Sequence, residues 1–575
     1  MLIDDINKNR ALGLTVASNR QYKILVLGNI IINQIKDLVE IPLRENNINA
    51  QVTFADYDNF VQASAQTADY NAIIIFWEAC NLIKGIHYKS NLWSIDEINV
   101  FTDKVKSEIN VTLNNLQNAP LVIFNTFDNT IFNAANTINN NLDLISENLN
   151  EHLLQVKNRN VHYININKII AQLGIQNVFN KRMWNSSSML YTYDFLKYYA
   201  SKVAPYILSI GGKAKKVMVL DCDNTLWKGI VGEDGPDGIA YNNEVKDGEY
   251  FEEVHYILKN LSNKGILLAL NSKNNEQDVR AIFTNNPNML LKWDDFIITK
   301  VNWNDKVSNL KAIAKELNVG IDSLVHMDDS NFEINHIQQE LPEVKTIQVP
   351  ESLKDYANIL KENLDLFLNL NRTAEDEKRT AMYHVEKIRQ DAQNNFSNID
   401  EYLQSLELEL NIVLNDKSAV DRIAQMTQKT NQFNLTTPRY TESEIEQFMN
   451  DKNYRVFSFG LKDKFGDYGI TGLCILNAES SEIVNIDTLL MSCRIIGRNA
   501  EFAFLNFIVD DLRNNHFKTI KAKYIKTFKN AQVENLFDTF GMQNVSNQND
   551  QTDYIYHLIN AKTKEINYIK INYER

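Results

Sequence analysis

The chain is poor in cysteine. Its 575 residues hold four, Cys80, Cys222, Cys474 and Cys493, with no CxxC pair among them. Cysteines so far apart argue against a disulfide framework and fit a reducing compartment. Positive charge is in deficit: 59 Lys and Arg stand against 73 Asp and Glu, a formal net charge of −14. A broad nucleic-acid footprint needs clustered cations, so this balance speaks against one while leaving room for a local cationic pocket. No apolar run approaches the ~20 residues of a membrane helix. The opening "MLIDDINKNRALGL" carries acids and lacks an apolar centre, so a secretory leader is not expected. These absences set the expectation of a cytoplasmic protein without nucleic-acid or membrane partners. What is present, 44% hydrophobic and 23% charged residues, is ordinary for globular protein, and the length calls for two or three cores.

Apolar runs divide the chain into segments. In the first, "YKILVLGN" (Tyr22 to Asn29), "YNAIIIFWEA" (Tyr70 to Ala79) and "APLVIFNTF" (Ala119 to Phe127) read as buried parallel strands separated by helical stretches. "NTINNNLDLISENLN" reads as a helix with a polar face. "SIGGKAKK" (Ser209 to Lys216) offers a hinge. The second segment repeats the alternation with "VMVLD", "GILLALNS", "DDFIITK" and "SLVHMDD". The charged "RTAEDEKRTAMYHVEKIRQDAQ" reads as a helical connector. In the third segment "YRVFSFGLKDKFGDYGITGLCIL" reads as a hairpin or meander with glycines at its turns. The expected organisation is α/β in three domains, 1–211, 212–370 and 401–575, with a connector at 371–400.

The chemistry concentrates in the second segment. Asp221 and Asp223 end its first strand, Ser272 its second, and Asp328 with Asp329 its fourth; Lys306 follows the third in "KVNWNDK". A parallel sheet gathers strand carboxyl ends on one edge, where ligands bind. Carboxylates crowded there repel one another unless a cation intervenes, and a hard ion with oxygen ligands, most naturally Mg²⁺, answers that need. Asp221 is then a candidate nucleophile on phosphorus and Asp223 a general acid and base. Lys306 adds positive charge in the first turn of the helix "DKVSNLKAIAKEL", whose apolar stripe is Leu310, Ile313, Ala314 and Leu317. Ser272 adds a donor hydroxyl. His326 reads as a packed strand residue and Cys222 as a small buried apolar side chain.

"DCDNT", Ser272, Lys306 and "DDSN" together resemble the motif set of the haloacid dehalogenase (HAD) phosphohydrolase superfamily. The resemblance implies Asp221 as nucleophile and Asp223 as acid/base. It implies Thr225, Ser272 and Lys306 on the phosphoryl group, and Asp221, Asp223, Asp328 and Asp329 at Mg²⁺, Asp223 through its carbonyl. The longer runs "LDCDNTLWKGIVGEDG", "NSKNNE", "VNWNDKVSNLKAIAKELN" and "DDSNFE" resemble the FkbH-like branch of that superfamily, as do "IAQMTQKTNQFNLTTPRYTESEI", "KDKFGDYGITG" and "LLMSCRIIGRNAE". That branch implies removal of phosphate from a three-carbon acid coupled to loading of a glyceryl unit on an acyl carrier protein. Many relatives carry a Cys as acyl carrier where this chain has Asn271.

The third segment is similar to the GNAT acyltransferase fold. "RIIGRN" matches its pyrophosphate loop, which implies coenzyme A or carrier phosphopantetheine held by Arg494, Gly497, Arg498, Asn499 and Asn530. Phe537 stands where these enzymes carry a proton-donating Tyr, so binding of a carrier arm is expected rather than independent acetyl transfer. Gln428, Asn431 and Asn434 in "QKTNQFNLTT" are candidates for a specificity loop or for helix caps. The first segment resembles the SGNH-like (flavodoxin-like) domain of the same relatives. Asn29 occupies the place of its Ser and Asp194 lacks a His three residues on, so a non-hydrolytic scaffold or partner-binding domain is expected. Two readings stand at this level: a Mg²⁺-dependent phosphohydrolase or phosphotransferase acting on a small phosphorylated metabolite, and an assembly or carrier-binding protein with a vestigial site. A turned-away Asp221, remote from Asp328, would favour the second.

Overall fold

The computed structural model describes residues 2–16, 21–128, 130–156, 158–236, 238–370, 385, 389, 396, 398–527, 529–548, 550–560 and 564–574. It forms two compact units, Met1–Gly211 and Gly212–Arg575. The connector expected at 371–400 lies outside the described residues except for 385, 389, 396 and 398–400.

The first unit is built on β1 (Gln21–Gly28), β2 (Asn49–Phe54), β3 (Ala72–Phe76), β4 (Val122–Asn125) and β5 (Val161–Ile164). All pair in parallel, in the order β2-β1-β3-β4-β5. Every residue of β3, "AIIIF", is buried, as a strand covered on both faces by helices must be. The Asn-rich stretch supplies the helix Asn141–Gln155. Asn140 caps it reciprocally with Asp143, and Leu142, Ile145, Leu149 and Leu153 turn inward. Asn29, just past β1, is fully buried. Its amide donates to the Glu78 carbonyl at 2.9 Å and its Oδ1 accepts from the Glu78 N–H at 2.8 Å. It clamps the ends of β1 and β3 together.

The second unit holds two sheets. One contains β6 (Val217–Leu220), β7 (Leu267–Ser272), β8 (Phe296–Val301), β9 (Leu324–Asp328) and β10 (Lys345–Gln348), all parallel, in the order β10-β9-β6-β7-β8. The chain leaves β6 toward β7 and β8, then returns to the other side for β9, so the order reverses beside β6. A crevice opens at such a reversal.

The other sheet has eight strands: β11 (Leu408–Leu414), β12 (Tyr454–Asp463), β13 (Gly466–Ala478), β14 (Ile483–Met491), β15 (Thr519–Ile525), β16 (Gln543–Gln548), β17 (Gln551–His557) and β18 (Ile569–Glu574). Their order is β16-β17-β15-β14-β13-β12-β11-β18. The expected hairpin is β12–β13, which pair antiparallel and turn between Asp463 and Gly466. Asp463 organises that turn: it accepts from the N–H groups of Phe465 and Gly466 and from the Tyr468 hydroxyl. It also takes the Arg389 guanidinium at 2.7 and 2.9 Å. The sheet is mixed rather than a plain meander, because β14–β15 and β11–β18 pair in parallel. The fold is therefore α/β throughout, two parallel sheets followed by a mixed one. No helix among the described residues is long and apolar enough to cross a membrane.

Candidate active site

Asp221 follows β6 directly, its N–H still donating to the Met327 carbonyl of β9 at 3.0 Å. The strand edge thus delivers Asp221 beside Asp328, the last residue of β9, at the crevice. Oxygens of Asp221, Asp328 and Asp329 lie within 4.8 Å of one another. Lys306 reaches them from the helix Lys306–Glu316, which Asp305 caps through the Ser308 N–H. Its Nζ is 3.1 Å from Asp221 Oδ1 and 2.5 Å from Asp328 Oδ2, and only 3% of the residue is exposed. A lysine is buried to that extent only when paired.

The electrostatics follow from this packing. Burial raises the Asp221 carboxyl, against the pull of Lys306 and with the push of Asp328. Burial also acts upward on Asp328, but hydrogen bonding from His326 and the charge of Lys306 outweigh it, so the group is lowered. Asp329 is lifted to about 6 by burial and by the charges of Asp221 and Asp328. Lys306 is driven up: burial opposes its charge, and the two aspartates more than offset that. One ammonium does not neutralise three carboxylates. The set of hard oxygens suits a divalent cation such as Mg²⁺.

Asp223 is placed differently. Its Oδ1 accepts from Trp227 Nε1 at 2.9 Å and the Val231 N–H at 3.1 Å, and its Oδ2 from Asn274 at 2.9 Å. Its carboxylate is not part of the three-aspartate cluster. Asn274 also donates to Ser272 Oγ at 3.2 Å, and the Ser272 hydroxyl is hydrogen-bonded to Asp221. Thr225 is fully buried with an Oγ1 that has no partner, while its carbonyl accepts from the Tyr356 hydroxyl at 2.7 Å. Cys222 packs in the apolar core, and burial together with Asp221 pushes its thiol well up. Asn271 is fully buried: it donates to the Lys306 carbonyl and accepts from Asn309, both at 3.1 Å. That amide ladder ties β7 to the helix bearing Lys306.

Three residues of the site have no role in the sequence reading. His326 is more than strand packing, since its Nε2 lies 2.9 Å from Asp328 Oδ2. Its two-residue spacing from Asp328 on one strand places both on the same face, which was the available clue. Asn274 and Trp227 hold Asp223; both lie within the runs "NSKNNE" and "LDCDNTLWKGIVGEDG", which do not by themselves tell what the two side chains bind.

The residues expected at a carrier arm fall on two stretches of the chain, one before the helix Ala500–Asn514 and one after β15. Arg494, Gly497, Arg498 and Asn499 lead into the helix Ala500–Asn514, with Gly497 at φ +84° and Asn499 at φ +61°. Arg498 is buried, donates to the Arg494 carbonyl at 2.8 Å and lies over the Tyr468 ring. Asn499 donates to the Tyr568 hydroxyl at 2.6 Å. Asn530, beyond β15, is fully buried. Its amide donates to the carbonyls of Asn434 and Ile525, and its oxygen accepts from the Thr527 N–H.

No protein-family profile and no curated protein matches the chain. Among solved structures it is similar to the N-terminal part of BF1531 from Bacteroides fragilis, which contains a phosphatase domain and was crystallised with Mg. Identity is 28%, over 64% of this chain and 99% of that one, with a TM-score of 0.57. Over about a quarter of its length it also aligns with a spermidine N-acetyltransferase from Vibrio cholerae (13% identity, 26% of this chain and 94% of that one, TM-score 0.21). An N-acetyltransferase from Staphylococcus aureus aligns likewise (14%, 27% and 99%, TM-score 0.21). At these scores the two acetyltransferases say nothing about activity.

Proposed function

We propose that the second unit is a Mg²⁺-dependent phosphohydrolase or phosphotransferase of the HAD type, acting on a small phosphorylated metabolite. The observation that carries this reading is the convergence of Asp221, Asp328 and Asp329 with Lys306 lodged between the first two. Likeness to a magnesium-complexed phosphatase domain supports it.

In this reading an Asp221 oxygen attacks phosphorus, the phosphorus–oxygen bond to the leaving group breaks, and an aspartyl-phosphate forms. The departing oxygen takes a proton from Asp223, whose carboxyl group Trp227 and Asn274 fix in place. Asp223 then accepts a proton from water as that water attacks phosphorus and frees Asp221. Ser272 and Lys306 hold the phosphoryl oxygens. Asp221, Asp328 and Asp329 would hold Mg²⁺, which supplies charge neutralisation for the transferring group.

Asn271 stands where relatives are expected to carry an acyl-bearing Cys, and its amide is spent on Lys306 and Asn309. Loading of an acyl carrier protein is therefore no part of this reading. The test is phosphate release from a panel of phosphorylated small acids and sugars, with and without Mg²⁺ and with and without a carrier protein, for the wild type and D221N. Mg²⁺-dependent release that D221N loses while keeping its melting profile supports the assignment. Release unaffected by D221N removes it, and a carrier adduct seen by mass spectrometry restores the acyl-loading role.

A further inference from the structure

β14 and β15 begin as neighbours, pairing in parallel at Ile483 with Thr519, Val484 with Ile520 and Asn485 with Lys521. Beyond Asn485 they part. Two parallel strands that diverge leave facing rows of unpaired N–H and C=O groups, an opening that an extended, amide-bearing chain can fill. A pantetheine arm is such a chain, and the GNAT-like reading of this segment calls for one.

The opening is already filled, by this chain. In the register set by Ile483 and Thr519, Leu489 would face Ile525. Instead Leu435 lies between them: its N–H donates to the Leu489 carbonyl at 3.2 Å and its carbonyl accepts from the Ile525 N–H at 2.8 Å. Asn434 bridges Leu490 in antiparallel fashion, and the Met491 N–H donates to the Phe433 carbonyl at 2.9 Å. The Thr436 hydroxyl donates to the Asp487 carbonyl at 2.8 Å. Asn530 closes the far side, donating to Asn434 O and Ile525 O, each at 2.9 Å.

The inserted segment is anchored as well as hydrogen-bonded. Phe433 and Leu435 belong to the apolar core of the eight-stranded sheet, and Asn434 is fully buried. Withdrawing the segment would expose two large apolar side chains and strip both strand edges of their partners. That cost is far greater than for a loop resting on a surface.

We infer that Phe433–Thr436 is a built-in strand that permanently seals the gap between β14 and β15, so that no coenzyme A or carrier phosphopantetheine arm lies there. Asn530 and Asn434 are then positioning residues of this seal rather than ligand contacts. Coenzyme A does not fit this part of the chain, and the loop Arg494–Asn499 serves to enter the helix Ala500–Asn514. The inference is independent of the phosphatase reading.

The test is hydrogen exchange on the full-length protein, with coenzyme A as the probe. The amides of Leu435, Met491 and Ile525 are expected among the slowest of the sheet, with protection unchanged by coenzyme A. N530A is expected to speed exchange at Leu435 and Ile525 by tenfold or more while leaving β12 and β13 as they were. Coenzyme A binding that leaves these amides protected places the ligand elsewhere and supports the seal. Fast exchange in the free protein, binding that alters protection at 433–436, or an N530A protein with unchanged exchange at Leu435 and Ile525 overturns it.

Discussion

Lys273 Nζ and Glu333 Oε1 meet at 2.6 Å although they follow β7 and β9, the strands on either side of β6. The pair spans β6, the strand that Asp221 follows. Lys273 is adjacent to Ser272, and Glu333 sits in the helix Asn331–Glu340 that starts after Asp329. The bridge therefore joins the two loops that must stay in register for the hydroxyl and the carboxylates to converge.

Removing one partner should hurt more than removing both. Glu333 is largely buried, so K273M leaves a carboxylate without its cation, whereas K273M/E333Q removes the charge too. Because Lys273 is partly exposed, a coupling of only about 1 kcal/mol is expected. A double-mutant cycle by urea denaturation measures it, and additive effects would show the bridge to be idle.

Lys306 is more tightly committed. K306M strands two carboxylates in the crevice and should destabilise the second unit by about 3–5 kcal/mol. Phosphate release should fall with it. Calorimetric melts of the variant read the first effect and steady-state assays the second.

Mg²⁺ should stabilise the protein by binding only the folded form. At a concentration near a hundred times its dissociation constant the gain is about 2.7 kcal/mol. D328N removes one of the three converging carboxylates and should abolish most of that gain. Melting temperatures with and without Mg²⁺, for both proteins, decide the matter.

Acid should weaken the fold through His255. It is fully buried, its ring N–H bonded to the Leu226 carbonyl at 2.7 Å, and burial lowers its pKa to about 4. The unfolded chain takes up a proton below about 6.5, while the folded chain stays neutral down to about 4. This stabilisation is complete above pH 6.5 and is lost as pH falls toward 4, by about 3 kcal/mol in all. Urea midpoints between pH 4 and 8 should slope accordingly, and the slope should flatten in H255N.

The strand ends of the second sheet were legible because β6, β7 and β9 are short, wholly buried apolar runs that stop at polar residues. Once parallel pairing was inferred, the meeting of Asp221, Ser272 and Asp328 followed. The eight-stranded sheet was less legible, since its strands pair across long intervals and in both senses. The insertion of Phe433–Thr436 was hard to read: two apolar residues in alternation, Phe433 and Leu435, are too short a run to announce a strand, and the partners that hold it lie far along the chain. The seat of Lys273 against Glu333 was equally hidden, because complementary charges sixty residues apart carry no spacing rule.

The hydroxyl of Tyr356 on the Thr225 carbonyl sets a lower bound on dissection. Tyr356 is fully buried and arrives only after β10, yet it holds the backbone of the loop that carries Asp223. An excised catalytic fragment must therefore run past the helix Tyr356–Glu362. One trimmed at the last acidic motif would keep every reactive group and lose the tether that sets their loop.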